Sequence, residues 1–351
     1  DLITMTGGDA VGGNVRIDLS NAATFDGRIS GAQSGPSGGN GSGGADGGDA
    51  TGGLTNITID SSTFTVTGSN SLRAGLGGGL GATGGDANGS VVNFNANNSV
   101  INILEDAAGV AELTIGSTTF GAPGTVAAGD AVGATLNASL INTTINGGAL
   151  TFQADALARD QLSPTTQSGS ATGGIINLSI QNIAATLDGG LNLNAVGDGG
   201  VSGAGSAGTG GDIFVNIIAN SMTLTGDLTL DASGIGGDSL IGDGGIGTGG
   251  SAEVLTSIPN VGGFVARVTG AVNVTAQGTG GATSAASANG GAGIGGEAFA
   301  DVETGTNVIF GSVRLDAAGQ GGSSETGDGG IGVGGDAGSE LADPNSVFQI
   351  E

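Results

Sequence analysis

The chain lacks cysteine, histidine, tryptophan and tyrosine, and its six basic residues are all arginines. Metal sites built on thiolate or imidazole, Ser-His-Asp and Cys-His nucleophiles, Schiff-base lysines and lysine-dependent phosphate loops each need a residue type that is missing here. No disulfide can form, so the cysteine content carries no information about the redox compartment. Most common catalytic and metal-binding arrangements are therefore excluded, and we expect a protein that is not an enzyme.

Positive charge is also scarce, because 32 acidic residues against six basic ones give a net charge of −26. Such a chain repels nucleic acid and anionic lipid head groups, so we expect neither as a partner. No apolar run reaches the roughly 18 residues that span a bilayer, which argues against membrane insertion. The sequence starts at Asp1 without a basic and apolar targeting segment, so the location must be inferred from the architecture.

Glycine, by contrast, fills 79 of the 351 positions. An acidic, glycine-rich composition is typical of disorder, but the apolar residues here follow a pattern. They alternate with polar residues in strings such as "LTNITID" (54–60), "SVVNFNA" (90–96), "IINLSIQ" (175–181) and "DIFVNII" (212–218). This alternation is typical of half-buried β-strands, so we expect an ordered all-β protein.

Two kinds of strand recur at the same interval, which indicates one unit of about 41 residues copied eight or nine times. We therefore expect a single repetitive domain over residues 1–341 and a tail over 342–351, after the pattern ends near Pro344, that serves as a cap or a donor strand. The first kind has its second apolar residue at Val66, Ile115, Phe152, Leu193, Leu230, Val274 and Leu315, after a degenerate copy at Ile29. The second kind is centred on Ile17, Ile57, Phe94, Ala138, Leu178, Val215 and Val254.

No unit of this size has enough large apolar residues to bury a core alone, but stacked units do. If each unit is a coil of a solenoid, equivalent strands lie about 4.8 Å apart and form parallel ladders. We therefore predict a parallel β-helix, or β-solenoid. Whether each repeat makes one coil or two stays open.

Glycine blocks lie between the strands, as in "GDGGIGTGGSA" (242–252), "ANGGAGIGGEA" (288–298) and "GDGGIGVGGDA" (327–337). Because glycine lets backbones approach closely, we predict an ordered glycine-rich layer on one side of the solenoid, with mobile excursions as the alternative. Gly245, Gly247 and Gly250 fit the dinucleotide-binding pattern G-x-G-x-x-G. The next residues, "AEVLTS" (252–257), are strand-like, so the helix that would hold a pyrophosphate is not expected.

Two stretches depart from the strand pattern. "LEDAAGVAEL" (104–113) and "QADALARDQL" (153–162) have helical periodicity, and we predict short helical insertions there.

With strands such as "GDLTLDASG" (226–234) and "GAVNVTAQG" (270–278), almost the whole chain resembles the repetitive passenger regions of bacterial surface adhesins of the filamentous haemagglutinin and autotransporter type. The resemblance implies a right-handed β-helix that is displayed outside the cell or on its surface. It also implies a structural role as a rod, filament subunit or adhesin segment, with a surface glycan or receptor as partner. Because the first residues already read as repeat material, we further expect end-to-end self-association.

Acidic residues follow the double glycine in many units, and they are the candidate site residues: Asp9, Asp49, Asp86, Asp130, Asp212, Glu297 and Asp336. If they stack in one column, adjacent carboxylates repel by about 0.9 kcal/mol in water. Calcium would relieve this repulsion, since it accepts carboxylate and backbone oxygens together. The other interpretation is a solvated acidic edge that keeps a fibre soluble, with no cofactor at all.

Two further functions stay open. A β-helical carbohydrate-active enzyme needs only paired carboxylates, or a carboxylate with calcium and arginine. An ice-binding solenoid is suggested by Thr63, Thr65 and Thr67 on one strand face. Such a face requires threonine in every coil, and only one unit shows it clearly.

Overall fold

The computed structural model describes residues 5–28, 36–42, 44–158, 169–201, 203–218, 222–257, 265–303, 307–341 and 347–350. It is an all-β, parallel β-solenoid of about eight turns with a period of about 40 residues, and every strand pair in the described ranges is parallel. Each strand pairs with its copy one repeat away, so each repeat makes one coil. The predicted fold class is therefore confirmed.

The first face of the solenoid, sheet 1, carries the second kind of strand. The columns of inward apolar residues predicted from the repeat are in register: Ile17 pairs with Ile57, and Leu178 pairs with Val215. Inward and outward residues alternate because successive side chains of a strand point to opposite faces. The nine strands of sheet 1 are Asn14–Leu19, Leu54–Asp60, Val91–Asn97, Thr135–Ile141, Ile175–Gln181, Asp212–Ile218, Ser251–Ser257, Glu297–Val302 and Asp336–Gly338.

The second face, sheet 2, bends around the remaining sides of the core. Its strands are Thr24–Gly27, Thr63–Arg73, Leu76–Gly77, Val100–Leu104, Ala111–Gly121, Thr144–Gly147, Ala149–Ala158, Ala184–Leu187, Leu191–Asn194, Gly197–Asp198, Met222–Thr225, Leu228–Asp231, Gly234–Ile235, Val265–Thr275, Gly278–Thr279, Asn307–Asp316, Gly319–Gln320 and Val347–Ile350.

The column predicted for the first kind of strand is right from Ile115 onward and wrong at its start. Leu193, Leu230 and Val274 are successive neighbours in it. Val66, however, pairs with Ile103, and it is Leu72 that pairs with Ile115. The long strand Thr63–Arg73 contains two alternating apolar segments on either side of Gly68, whose φ is +81°. The sequence pattern therefore selected Val66, which belongs to the neighbouring column, instead of Leu72. Ile29, the degenerate copy, lies outside the described residues.

The glycine blocks form an ordered layer, as predicted. One wall, sheet 3, consists of two-residue strands: Ala10–Val11, Ala50–Thr51, Ala87–Asn88, Ala131–Val132, Ala171–Thr172, Gly208–Thr209, Gly247–Thr248, Gly293–Ile294 and Gly332–Val333. The other wall is the short glycine-containing strands of sheet 2. A further small pair, Gly81–Thr83 with Gly124–Ala127, lies beside it.

Hydrogen bonds run through this layer in two directions. The amide of Gly244 donates to Asn289 in the next coil at 2.9 Å, whereas the amide of Gly245 donates across the layer to Gly237 at 2.9 Å. The amide of Gly281 in turn donates a hydrogen bond to the carbonyl of Gly245 at 2.9 Å. In an extended helix with three residues per turn, successive backbone amides point in different directions, so they donate to different neighbouring segments. The blocks are therefore packed structure, and no helix follows Gly250, where the strand Ser251–Ser257 begins.

A sharp corner joins sheet 1 to sheet 2 in the first coils. Each of these corners contains a residue in the left-handed conformation, which asparagine tolerates better than most residues. These positions are Asn21, Ser61, Asn98, Asn142 and Asn182, with φ between 47° and 59°, and the first corner has a second such residue, Ala22, at 62°.

Both predicted helical insertions are wrong in the described residues. Residues 105–110 form a tight turn in which the carboxylate of Asp106 accepts hydrogen bonds from the amides of Ala108 and Val110, with Gly109 at φ +74°. The strand Ala111–Gly121 follows directly. The second stretch belongs to the strand Ala149–Ala158, in which every second residue from 150 onward is buried. Residues 159–162 lie outside the described residues.

The core is a continuous column of buried apolar side chains, including aromatic pairs such as Phe94 and Phe152, whose ring centroids are 5.8 Å apart and whose planes are tilted by 59°. It is less covered at both ends, where Ile17, Phe25, Leu315 and Phe348 are only partly buried. In the tail, the strand Val347–Ile350 pairs with residues 307–310 and so extends the ladder.

Candidate functional site

The seven acidic candidates are divided between two columns. Asp9, Asp49, Asp86 and Asp130, here called the aspartate column, each precede a strand of sheet 3, and Ser170 occupies the next position. The other three begin strands of sheet 1, where the register runs from Asp212 through Ser251 to Glu297 and Asp336. The seven residues therefore do not form a single acidic ladder. The double glycine recurs at two places in each coil, and the sequence pattern merged them.

Each carboxylate of the aspartate column accepts a hydrogen bond from the backbone of the next coil. The Oδ1 atom of Asp9 accepts from the amide of Asp49 at 3.0 Å, and that of Asp49 accepts from the amide of Asp86 at 2.9 Å. Asp130 accepts from both the amide and the hydroxyl of Ser170, at 2.6 and 3.0 Å. An ionised acceptor strengthens such a bond, so these residues link successive coils.

The same contact recurs elsewhere, always from the later coil to the earlier one. Carboxylates that accept a backbone amide 37–46 residues further along include those of Asp46, Asp155, Asp227, Asp238, Asp243 and Asp301. Many of the carboxylates of this acidic chain therefore link successive coils through hydrogen bonds.

The stacking has an electrostatic cost that is visible at Asp86. Surrounding protein atoms displace water from its carboxyl group and raise its pKa, and the carboxylates of Asp130 and Asp49 raise it further, against the lowering effect of the Asp130 amide. The column places one carboxylate in each coil. Within the described ranges, no three acidic side chains converge on a point that could hold a metal ion.

A groove lined mostly by asparagine and serine residues lies on the outer face of sheet 1 and has a volume of about 420 Å³. One side is the asparagine column, which consists of Asn56, Asn93, Asn137 and Asn177. The other side is two residues further along each strand, at Asn95, Ser139, Ser179 and Asn216. Phe214 closes one end. None of the residues that line the groove is ionisable.

The asparagine column is connected by its own hydrogen bonds. The Nδ2 atom of each side chain donates to the Oδ1 atom in the preceding coil, at 2.8 Å for Asn93 to Asn56, 3.2 Å for Asn137 to Asn93 and 3.1 Å for Asn177 to Asn137. A carboxamide has two N–H donors and an oxygen with two lone pairs. Within the column each interior side chain thus uses one donor and one acceptor site, which leaves the others directed to the surface.

Sequence reasoning missed this groove, although the signal was present. Each asparagine of the column stands immediately before a central apolar residue of sheet 1: Ile57, Phe94, Ala138 and Leu178. An alignment of the repeats on those apolar residues shows the asparagines in register.

A second polar cluster lies on sheet 2 around Asp155. Burial raises the pKa of this carboxyl, and the nearby carboxylate of Asp231 raises it as well. Hydrogen bonds from the side chain of Gln153 and the amide of Val196, together with the charge of Arg73, act in the opposite direction. The arginines are far apart in the sequence, so the sequence did not indicate that Arg73 lies near Asp155.

The threonines of the ice-binding alternative do not form a continuous column. Thr63 pairs with Thr24 in the preceding coil but with Val100 in the next one, and Thr65 pairs with Asp26 and Asn102. A threonine in every coil is therefore not found at these described positions.

Comparison of the chain with protein-family models, with curated proteins and with solved structures gives no match. Among the described residues, no helix has the length and apolar character that a bilayer crossing requires.

Proposed function

We propose that this chain is a non-catalytic, extracellular structural protein that forms a rod or adhesin segment on a bacterial surface. The observation that carries the proposal is the unbroken register of sheet 1, which runs from Asn14–Leu19 to Asp336–Gly338 through nine strands. A fold in which each coil contacts only its neighbours yields an extended body with long repetitive faces. Such a body suits display and attachment.

The resemblance to filamentous haemagglutinin and autotransporter passenger regions supports the surface location. Those families use β-helices of this kind outside the cell, and the acidic, cysteine-free composition suits a soluble rod,. A surface glycan or receptor is the partner that such a role implies.

End-to-end association is part of the proposal. At one end the inward side chains of Ile17 and Phe25 are only partly buried, and at the other end so are those of Leu315 and Phe348. Among the residues that the structure describes, the outermost strands of sheet 1 pair on one side only. Unpaired parallel edges over an open apolar core favour the addition of further coils, such as those of a second copy.

Electron microscopy of the purified chain over a range of concentrations tests both parts. The proposal expects rods of uniform width whose length grows in steps as concentration rises. Strictly monomeric particles at every concentration would contradict end-to-end association, and compact, non-elongated particles would contradict the rod itself.

A carbohydrate-active enzyme is the second candidate, because burial gives Asp155 a raised pKa close to another carboxylate and an arginine. A general acid needs such an environment. The assay is incubation with neutral and acidic polysaccharides, followed by detection of new reducing ends or unsaturated products. Our proposal predicts none, whereas product formation that Asp155→Asn abolishes would establish the enzyme.

A further inference from the structure

The groove on sheet 1 has chemistry that selects a class of ligand. In one wall, carboxamide groups recur about every 4.8 Å along the solenoid axis through four coils, from Asn56 to Asn177, a strip of about 14 Å,. The other wall repeats with the same spacing but alternates in kind, with asparagine at its two ends and serine between them. Hydrogen-bonding groups at constant spacing suit a polymer that itself repeats and lies parallel to the axis.

The groove contains no ionisable side chain, while the chain around it has a net charge of −26. A polyanion would meet repulsion without a compensating cation, and a polycation would find no carboxylate in the groove. The donors and acceptors that the asparagine column leaves unused match hydroxyl groups, which are themselves both donor and acceptor. This complementarity points to an uncharged, hydroxyl-rich ligand.

Phe214 adds an apolar surface at one end of the groove, in the same outward column as Asn177. An aromatic ring beside polar groups packs against the C–H face of a sugar ring while the hydroxyls remain hydrogen-bonded. A peptide is a poorer match, because peptides that join a sheet do so at its edge. The groove lies on the face of sheet 1, where the strand backbones are already paired.

We propose that this groove binds an extended, uncharged polysaccharide, with Asn137 and Asn177 as hydrogen-bonding residues and Phe214 as the stacking residue. The inference deepens the adhesive role and rests on it for its biological setting. The binding reaction itself depends only on the described residues of the groove.

Isothermal titration with four linear probes tests the inference: cellohexaose, xylohexaose, mannohexaose and hexagalacturonate. We expect saturable binding of at least one of the three neutral probes and none of the charged one. Asn137→Ala and Phe214→Ala should each weaken binding by roughly fivefold or more. Matched controls outside the groove are Asn146→Ala, in another asparagine pair, and Phe299→Ala, two coils further along the column of Phe214; both should leave the affinity unchanged.

Three results would overturn the inference: no saturable binding of any neutral probe, preferential binding of hexagalacturonate, or equal losses in groove and control variants whose melting temperatures match that of the parent. The rod and its end-to-end association are measured by microscopy without any glycan. A failure of the groove is therefore distinguishable from a failure of the proposed function.

Discussion

The carboxylate of Asp49 accepts a hydrogen bond from the backbone amide of Asp86, 37 residues further along the chain, at 2.9 Å. In the same column, the amide of Asp49 donates to the carboxylate of Asp9 at 3.0 Å. An aspartate here is thus both donor and acceptor along the axis. The backbone amides therefore link successive acidic residues along the axis.

Removal of the hydrogen-bond acceptor at Asp49 should lower the free energy of unfolding, whereas removal of its charge alone should not. Asp49→Ala leaves the amide of Asp86 without its partner, and we expect a loss of about 1 kcal/mol in the free energy of unfolding. Asp49→Asn keeps an acceptor oxygen and should be close to neutral. Urea denaturation measures both, with Asp212→Ala as an exposed acidic control. Equal losses in the alanine and asparagine variants would show that charge, not the hydrogen bond, is responsible.

Calcium should have no specific effect on stability. The aspartate column spreads one carboxylate per coil, and each already has a backbone donor. We expect the melting temperature to be the same in EGTA as in calcium. A melting temperature that falls in EGTA and returns with calcium but not with magnesium would instead show a calcium site among the acidic columns.

Asp155→Asn should stabilise the protein at neutral pH. Because burial raises the pKa of Asp155, the folded chain binds this proton more tightly than the unfolded chain does,. The resulting stability is present below the ordinary pKa of 3.8 and is lost as the pH rises through the raised pKa,. The variant keeps an acceptor for Val196. Its Nδ2 replaces the oxygen that accepts from Gln153 Nε2, so the Gln153 carboxamide must turn over, which brings its buried and unpartnered Oε1 into position to accept from the asparagine.

We therefore expect Asp155→Asn to gain about 1 kcal/mol at pH 7, with the gain disappearing below about pH 4. Thermal unfolding across this pH range measures it. The exposed charge change Asp188→Asn is the control. A gain that is independent of pH, or one that the control reproduces, would contradict the explanation.

The glycine layer should not accept side chains. A Cβ atom at Gly245 would overlap the carbonyl oxygen of Ser206, the equivalent position of the preceding coil in the same wall, whereas one at Gly329 would lie 3.8 Å from the nearest atom, the oxygen of Gly322. Gly245→Ala should therefore destabilise the protein by about 1–3 kcal/mol, and Gly329→Ala by much less. Equal denaturation midpoints for the two variants would show that the layer is loose.

The sequence was sufficient to predict the solenoid because two sets of apolar residues keep one period. It was also sufficient for the glycine layer, since only close backbone packing explains repeated blocks without side chains. The register of residues within a long strand was harder to predict from the sequence. Val66 and Leu72 both satisfy the alternation, and only the left-handed turn at Gly68 decides between them.

Side-chain columns could be predicted only in part. The acidic residues were identified but assigned to one column, because a double glycine precedes both positions in the coil. The helical prediction at 104–113 failed because Asp106 and Gly109 close a turn, and a short apolar period does not reveal that competition,. The buried environment of Asp155 depends on neighbours about 40–80 residues away, which composition and spacing do not indicate,.

Equivalent residues lie one coil apart along a single axis, and distances between spin labels measure this arrangement. The chain has no cysteine, so labelled cysteines can replace Thr51 together with Thr172, Thr248 or Val333, which lie three, five and seven coils away in one column of sheet 3. Pulsed electron paramagnetic resonance should give backbone separations of about 14, 24 and 34 Å, a constant increment of about 4.8 Å per coil. Distances that do not increase linearly with the number of coils would contradict the stacked solenoid.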